Sequence, residues 1–329
     1  MPIKPSGLQE RQHFYQKKNN MKSVDAELFL NPPINMTTGR PADKLIRQRS
    51  KTWVSPGKQK MRVIDLQSIR YIASKTKTTS REIEITCLEH GVVPARYLRN
   101  IGTIGIEGQI KLLRSTVAVC GVGGLGGTMI ELLVRQGIGH LVIIDKGRFA
   151  ENNLNRQIIA TEGDLRKSKV KVAADRVKKI NSAVVVTPIN KTINSQTASE
   201  FIKNASVVLD ALDNFMTRRI VANACNKLKI PFIHGAIAGF CGQLMTILPG
   251  DKGFKAICDI SGTGSGCGVE TLTGNPAPTP SIIAAWEVQE AIKIITGIGS
   301  PIHDQLFFLD FLDNTFDQIS LSHPNGSDD

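Results

Sequence analysis

Residues 121–126 read Gly-Val-Gly-Gly-Leu-Gly, so Gly121, Gly123 and Gly126 stand in G-x-G-x-x-G spacing with Gly124 inside it. Glycines so placed let the backbone turn tightly and bring its N–H groups against a phosphate. A helix after such a turn adds the positive end of its dipole, which favours an anion there. Asp145 follows at about the spacing, roughly twenty residues, at which an acid meets a ribose hydroxyl. The chemistry is that of a bound nucleotide. Taken alone, the loop fits NAD in an oxidoreductase as well as it fits ATP.

The flanking elements must hold that loop. Thr116–Cys120 reads as a buried strand, Thr128–Gln136 as a helix closed by Gly137, and Leu141–Asp145 as the next strand. Strand, glycine turn, helix and strand make a βαβ unit, whose crossover is right-handed. The alternation continues through a helix at Ser168–Ile180, an apolar run at Ala183–Thr187, a helix at Ser199–Ala205 and a strand at Ser206–Ala211. A helix at Met216–Leu228 and a strand opening at Pro231–His234 complete it, with Cys120, Cys225 and His234 read as core. Gly242–Leu248 reads as an antiparallel strand, and residues 250–280 as a long loop. Ser281 is the expected cap of a helix at Ile282–Thr296, and Leu306–Phe311 with Phe316–Leu321 forms a closing hairpin. Upstream, Thr79 and Glu82 have capping-box spacing before a helix that stops at Gly91, and Glu107–Leu113 is a further helical stretch. The expected fold is α/β: a doubly wound, mostly parallel, Rossmann-like sheet with an antiparallel extension and a helical N-terminal segment.

The chain has 329 residues, 41% hydrophobic and 21% charged, which excludes a disordered polymer. It contains no apolar run long enough to span a bilayer and no apolar stretch behind its first basic residues, so neither a membrane protein nor a secreted one is expected. Six cysteines without a C-x-x-C pair suit reduced thiols and a cytoplasmic location. The charge is uneven. Residues 1–60 hold 12 Lys/Arg against 4 Asp/Glu, which leaves only +4 of the total +12 for the rest. Residues 1–60 are therefore expected to be a basic, disordered, solvated tail, with nucleic acid as its less favoured partner, and residues 61–329 the nucleotide-binding domain.

Beyond Asp145 come Asn153-Leu154-Asn155-Arg156-Gln157, then Lys169, then Asp210-Ala211-Leu212-Asp213-Asn214 with Arg218; Arg96-Tyr97-Leu98-Arg99 lies upstream. In this order the segments resemble the ThiF/MoeB/HesA family, the bacterial relatives of ubiquitin-activating enzymes, over about residues 94–322. The resemblance implies adenylation of the C-terminal glycine of a small ubiquitin-like sulfur carrier, ThiS- or MoaD-like, with release of pyrophosphate. It implies that Gly121, Gly123, Gly124, Gly126, Asp145, Asn153, Arg156, Lys169, Asp213 and Asn214 bind ATP. Arg156, Lys169 and Asp213 would be catalytic, Asp213 would hold Mg²⁺, and Arg99 would reach the site of a second copy in a homodimer.

Charge supports this reading. A terminal carboxylate is ionised at neutral pH and needs no base, so the barrier is an anion approaching a polyanion. Fixed cations lower that barrier, and hydride transfer has less use for them. Three departures from the family stand out. Its paired C-x-x-C zinc ligands are replaced by Gly253-Phe254-Lys255-Ala256, with a lone Cys258, and by Ser322-His323-Pro324-Asn325, so no zinc site is expected. Gly147 stands where the family often has a second Asp, and Cys267 lies in a longer glycine-rich loop. The resemblance makes Cys267 a candidate for a thioester or persulfide link. Two other readings are a tRNA threonylcarbamoyladenosine dehydratase-like enzyme and an NAD(H)-binding oxidoreductase.

Overall fold

A computed structural model describes residues 41–55, 58, 60–251 and 273–321. The chain divides into two compact units, Met1–Ile110 and Lys111–Asp329.

The N-terminal unit contains α1 (Pro41–Arg49), β1 (Lys51–Val54), β2 (Lys60–Ile64), α2 (Leu66–Thr76), α3 (Ser80–Glu89) and β3 (Val92–Pro94). Its sheet runs β1-β2-β3, antiparallel then parallel. Ile46, Ile64, Ile69, Ile72 and Ile83 make its core. Asp65 caps α2 by accepting from Ser68 N at 2.7 Å, and the capping box at Thr79 and Glu82 forms as its spacing predicts. Two buried polar groupings add to it. His90 Nε2 meets Asp43 Oδ1 at 3.0 Å; Tyr97 donates to Glu84 Oε2 at 3.0 Å, and Arg96 Nε lies 3.7 Å from its other oxygen. Burial pushes the Glu84 carboxyl up to about 7 against the pull of Arg96 and Tyr97.

This unit corrects the expectation of a disordered segment through residue 60. From Pro41 the described chain is helical, and α1 turns Ile46 into the isoleucine core and Asp43 toward His90, while Lys44 and Arg47 are exposed. High charge density concealed a short amphipathic helix. Residues 1–40 lie outside the described residues. A helix, α4 (Leu98–Arg114), carries the chain onward, interrupted at Gly105, whose φ of 68° only glycine adopts readily.

The C-terminal unit has the doubly wound architecture. Its elements are β4 (Thr116–Cys120), α5 (Gly124–Gln136), β5 (His140–Ile144), α6 (Lys169–Ile180), β6 (Val185–Ile189), α7 (Ala198–Ile202), β7 (Val207–Asp210) and α8 (Phe215–Leu228). They are followed by β8 (Phe232–Ala238), β9 (Cys241–Ile247), α9 (Pro278–Thr296), β10 (Gln305–Asp310) and β11 (Thr315–Ser320). The sheet order is β11-β10-β9-β8-β7-β4-β5-β6. Strands β4 to β8 are parallel, and β9, β10 and β11 add on antiparallel.

Successive side chains of a strand point to opposite faces. Ala118, Cys120, Val142, Ile144, Val208 and Phe232 meet α7 and α8 in one core. Their buried neighbours Val117, Val119, Leu141, Ile143 and Leu209 therefore face the other helix layer, where α9 packs on α5 and α5 on α6. Both layers are needed because parallel strands bury both faces.

Helix α9 starts four residues earlier than expected. Pro278 sits in its first turn, where a missing N–H costs nothing, and Ser281 lies inside the helix, its hydroxyl donating to Ala277 O at 3.0 Å. Ser281 is thus not its cap. Among the described residues, no helix is long and apolar enough to cross a membrane.

Candidate active site

The strand order reverses between β4 and β7, and such a switch point opens a crevice at the carboxyl ends of parallel strands. A cleft of about 390 Å³ lies there. It collects residues from the ends of β4, β5, β6, β7 and β8 and from the start of α9.

The glycine loop forms its floor. Gly123 is the N-cap of α5, with no side chain capping it. The first amides of a helix have no intrahelical partner, so this terminus presents donors to an anion. The glycines serve different ends. Gly121 has φ 105°, and a Cβ there would lie 2.3 Å from Ala211 O; one at Gly126 would lie 2.0 Å from Gly121 O. At Gly123 a Cβ would meet nothing within 4 Å, and at Gly124 it would meet Pro280 and Arg156 at 3.3 and 3.4 Å. Gly121, Gly123 and Gly124 line the cleft; Gly126 is spent on packing α5 against the loop.

Asp145 closes β5 and is tied to this loop. Its Oδ2 accepts from Val122 N at 2.8 Å and its Oδ1 from Gly147 N at 2.5 Å. Gly147 thereby has a local reason. A Cβ there would sit 2.9 Å from Asp145 Oδ1 and 3.4 Å from Lys169 Cε, so the bare backbone leaves both side chains their places. Lys169 opens α6, its N–H bonded to Gly147 O at 3.0 Å and its ammonium 5.8 Å from the centre of the Phe149 ring. The Arg156 Nη1 donates to Asn152 O at 2.9 Å and Asn155 Oδ1 at 2.8 Å, which holds the guanidinium at the cleft.

Across the switch point, Asn214 caps α8 by accepting from Thr217 N at 2.9 Å, and its amide donates to Asp213 Oδ1 at 3.2 Å. Asp213 is exposed on the cleft. A buried network supports this turn. Asp210 Oδ1 accepts from Leu212 N at 2.9 Å, its Oδ2 accepts from His234 Nδ1 at 2.7 Å, and Arg218 donates to Leu212 O at 3.1 and 2.5 Å. Burial holds His234 below the usual imidazole range, so the ring is neutral, donating to Asp210 while its Nε2 accepts from Gln243 Nε2 at 3.1 Å. Asp210 and His234 are thus supports beneath the site. Glu287 of α9 is fully buried nearby, both oxygens without a hydrogen-bond partner; a Cβ at Gly235 would fall 2.0 Å from its Oε1. Burial, with Asp210 adding its negative charge, pushes the Glu287 carboxyl well above the usual range against the pull of Arg218.

The cleft thus assembles Gly121, Gly123, Gly124, Asp145, Arg156, Lys169, Asp213 and Asn214 from the expected set. Asn153 is not among its lining. Its Oδ1 accepts from Ala150 N at 3.0 Å and its amide donates to Asn152 Oδ1 at 3.1 Å, so it shapes the segment that aims Arg156. Arg99 is exposed on α4 in the N-terminal unit. Cys267, Cys258 and both segments compared with zinc ligands lie outside the described residues. Cys120 and Cys225 are core, and burial raises both thiols, Cys225 to about 12. Among the described residues, Asp251, His303 and Asp304 bring three potential metal ligands within 4.8 Å of one another, with His303 Nε2 already on Asp251 Oδ1 at 3.0 Å.

Sequence reasoning passed over Lys146, Gln157, Lys191, Thr192 and Asn275, all of which line the cleft. Only Gln157 carried a signal, as the last residue of Asn153-Leu154-Asn155-Arg156-Gln157.

A family model described as the ThiF family matches residues 97–328. The SAMP-activating enzyme E1 of Haloferax volcanii is 33% identical over 229 residues, covering 68% of this chain and 84% of that protein. The sulfur carrier protein ThiS adenylyltransferase of Escherichia coli is 32% identical over 218 residues, covering 65% of this chain and 86% of that protein. Relatives described as adenylyltransferase and sulfurtransferase are longer, and the chain spans about half their length. Among solved structures, E. coli MccB with ATP shares the fold, with a TM-score of 0.61 at 22% identity over 69% of this chain and 72% of that one.

Proposed function

The chain belongs to the ThiF family and is an enzyme of its adenylyltransferase kind, and on that premise we propose that it adenylates the C-terminal glycine of a small ubiquitin-like sulfur carrier. The observation that carries this reading is the convergence of the uncapped α5 terminus, Arg156 and Lys169 on one cleft beside Asp145.

The carboxylate of the carrier attacks the α-phosphate of ATP, an acyl–phosphate bond forms as the bond to pyrophosphate breaks, and no proton moves. The chain's task is to let two anions meet. A unit-charge pair at about 4 Å contributes roughly 4 kcal/mol at an effective dielectric of ~20, so a few fixed cations control the rate. Asp145, pinned by Val122 and Gly147, receives the ribose hydroxyls. The loop amides and Arg156 take the phosphates, and Lys169 brings its positive charge to the α-phosphate as it passes through its crowded state. Asp213 offers the hard carboxylate oxygen that suits Mg²⁺ accompanying the nucleotide, which would neutralise charge on the departing pyrophosphate. Arg99, exposed on α4, completes the cleft of a second copy in a homodimer.

ATP–pyrophosphate exchange tests the reading. Exchange is expected with a carrier ending in Gly-Gly and not with the same carrier lacking its last glycine. Equal exchange with both carriers defeats it.

A further inference from the structure

The strand order lays the cleft out like a ruler. Neighbouring strands lie about 4.8 Å apart, so the ends of β6, β5, β4, β7 and β8 span about 19 Å. Asp145 at the end of β5 and the glycine loop after β4 claim the β6-to-β4 stretch for nucleotide. The stretch toward β8 and α9 holds Ile237, Asn275 and Pro280, and the segment 155–157 is tied to it through Asn275.

Two amide side chains there are unusual. Gln157 is only 4% exposed, lines the cleft, and has a buried Oε1 without a hydrogen-bond partner. Asn275 also lines the cleft, and its buried Oδ1 is equally unpartnered. The two are held in one neighbourhood. Asn155 Nδ2, two residues before Gln157, donates to Asn275 O at 3.1 Å, and Pro280 and Arg156 flank Gly124 between them. The segment before α9 is stitched to the β8–β9 turn by Gly239 N to Gly274 O at 2.9 Å and Thr279 Oγ1 to Gly239 O at 2.9 Å. Buried acceptors without donors are rare, and each one calls for an explanation.

We propose that Gln157 and Asn275 form an acceptor subsite for the backbone N–H groups of the second reactant's glycine tail, so that the enzyme reads a peptide and not merely a carboxylate. The proposal rests on the function above and deepens it. Both orphaned atoms accept and neither donates, which matches a strand of peptide N–H groups entering from the β8 side. Glycine has no side chain to recognise, so its amides are the handle that remains. A site built to bond an N–H rejects the analogue without it, because the site's own polar atom is then left unpaired.

The test compares two semisynthetic carriers, one with a natural Gly-Gly tail and one whose last peptide N–H is replaced by an ester oxygen. With the unaltered enzyme, the ester tail is expected to raise the KM for carrier at least tenfold while direct ATP binding stays unchanged. In Gln157→Met that discrimination should shrink to within twofold, with ATP affinity kept and Tm equal or higher, since an unpaired buried oxygen has been removed. Asn275→Ala, at a half-buried position, checks the same loss without disturbing the core. An ester tail as good as the amide overturns the proposal. So does a Gln157→Met enzyme that loses ATP affinity yet keeps the amide-over-ester ratio, because the side chain then reads nucleotide. An unaltered enzyme that binds ATP but exchanges with no carrier fails the parent function, and this subsite with it, before any variant is compared.

Discussion

The glycine loop has two faces, and they answer to different physics. On one face, Gly121 and Gly126 are closed in by protein, with carbonyl oxygens 2.3 and 2.0 Å from where a Cβ would stand. On the other, Gly123 has open space and Gly124 meets only side-chain carbons. A six-residue string that reads as one phosphate motif thus divides into a packing half and a ligand half. Mutations on the packing face should cost stability; mutations on the ligand face should cost chemistry.

Lys169→Ala should sharpen that division most. It removes a cation from the cleft, and the expected loss in exchange rate is about 10³-fold or more, with Tm nearly unchanged. Gly126→Ala should act in reverse, lowering unfolding free energy by about 3 kcal/mol in urea, since a backbone carbonyl cannot step aside as a side chain does. A Gly126→Ala protein of full stability would break the comparison. Gly123→Ala should leave stability within about 1 kcal/mol and weaken ATP binding roughly tenfold by calorimetry, because the added methyl enters open space at a residue that lines the cleft. The smallest effect at low pH belongs to Glu287→Gln, on a carboxyl group seated against another closed glycine, Gly235. The folded state raises the carboxyl's pKa, so the contribution to stability is present below the ordinary glutamate range and is lost as pH rises. The glutamine variant should match the parent at pH 4 and gain on it in chemical unfolding as pH rises above the ordinary glutamate range. A difference that stays constant as pH rises would show that Glu287 does not carry the proton.

The parts of this architecture legible in the sequence are those written locally. The βαβ unit around Gly121, the strand-ending Asp145 and the capping box at Thr79 each rest on residues within a few turns of one another, and all three stand as read. Charge misled in the first sixty residues, where Ile46, with Ala42 and Leu45 beside it, seats α1 on the core amid basic neighbours. The resemblance gave Asn153 to the triphosphate, yet its Oδ1 accepts from Ala150 N three residues away and its amide N–H donates to Asn152, away from the cleft lining. Gln157 and Asn275 were passed over for the opposite reason. Their neighbourhood depends on a bond between Asn155 and Asn275, 120 residues apart, and no local pattern announces it.

Strand β4 sets the order in which this molecule can come together. It pairs on one side with β5, the next strand of the chain, and on the other with β7, where Val117 meets Val207. The first pairing closes a short loop. The second must wait for a much longer one, and the wall of the cleft at Pro280 comes later still. A nascent chain will therefore own a folded glycine turn well before it owns a nucleotide site, and ATP cannot chaperone its early steps. When nucleotide does bind, it stabilises only the finished sheet, so its protection against unfolding should appear all at once, in molecules where α9 has docked.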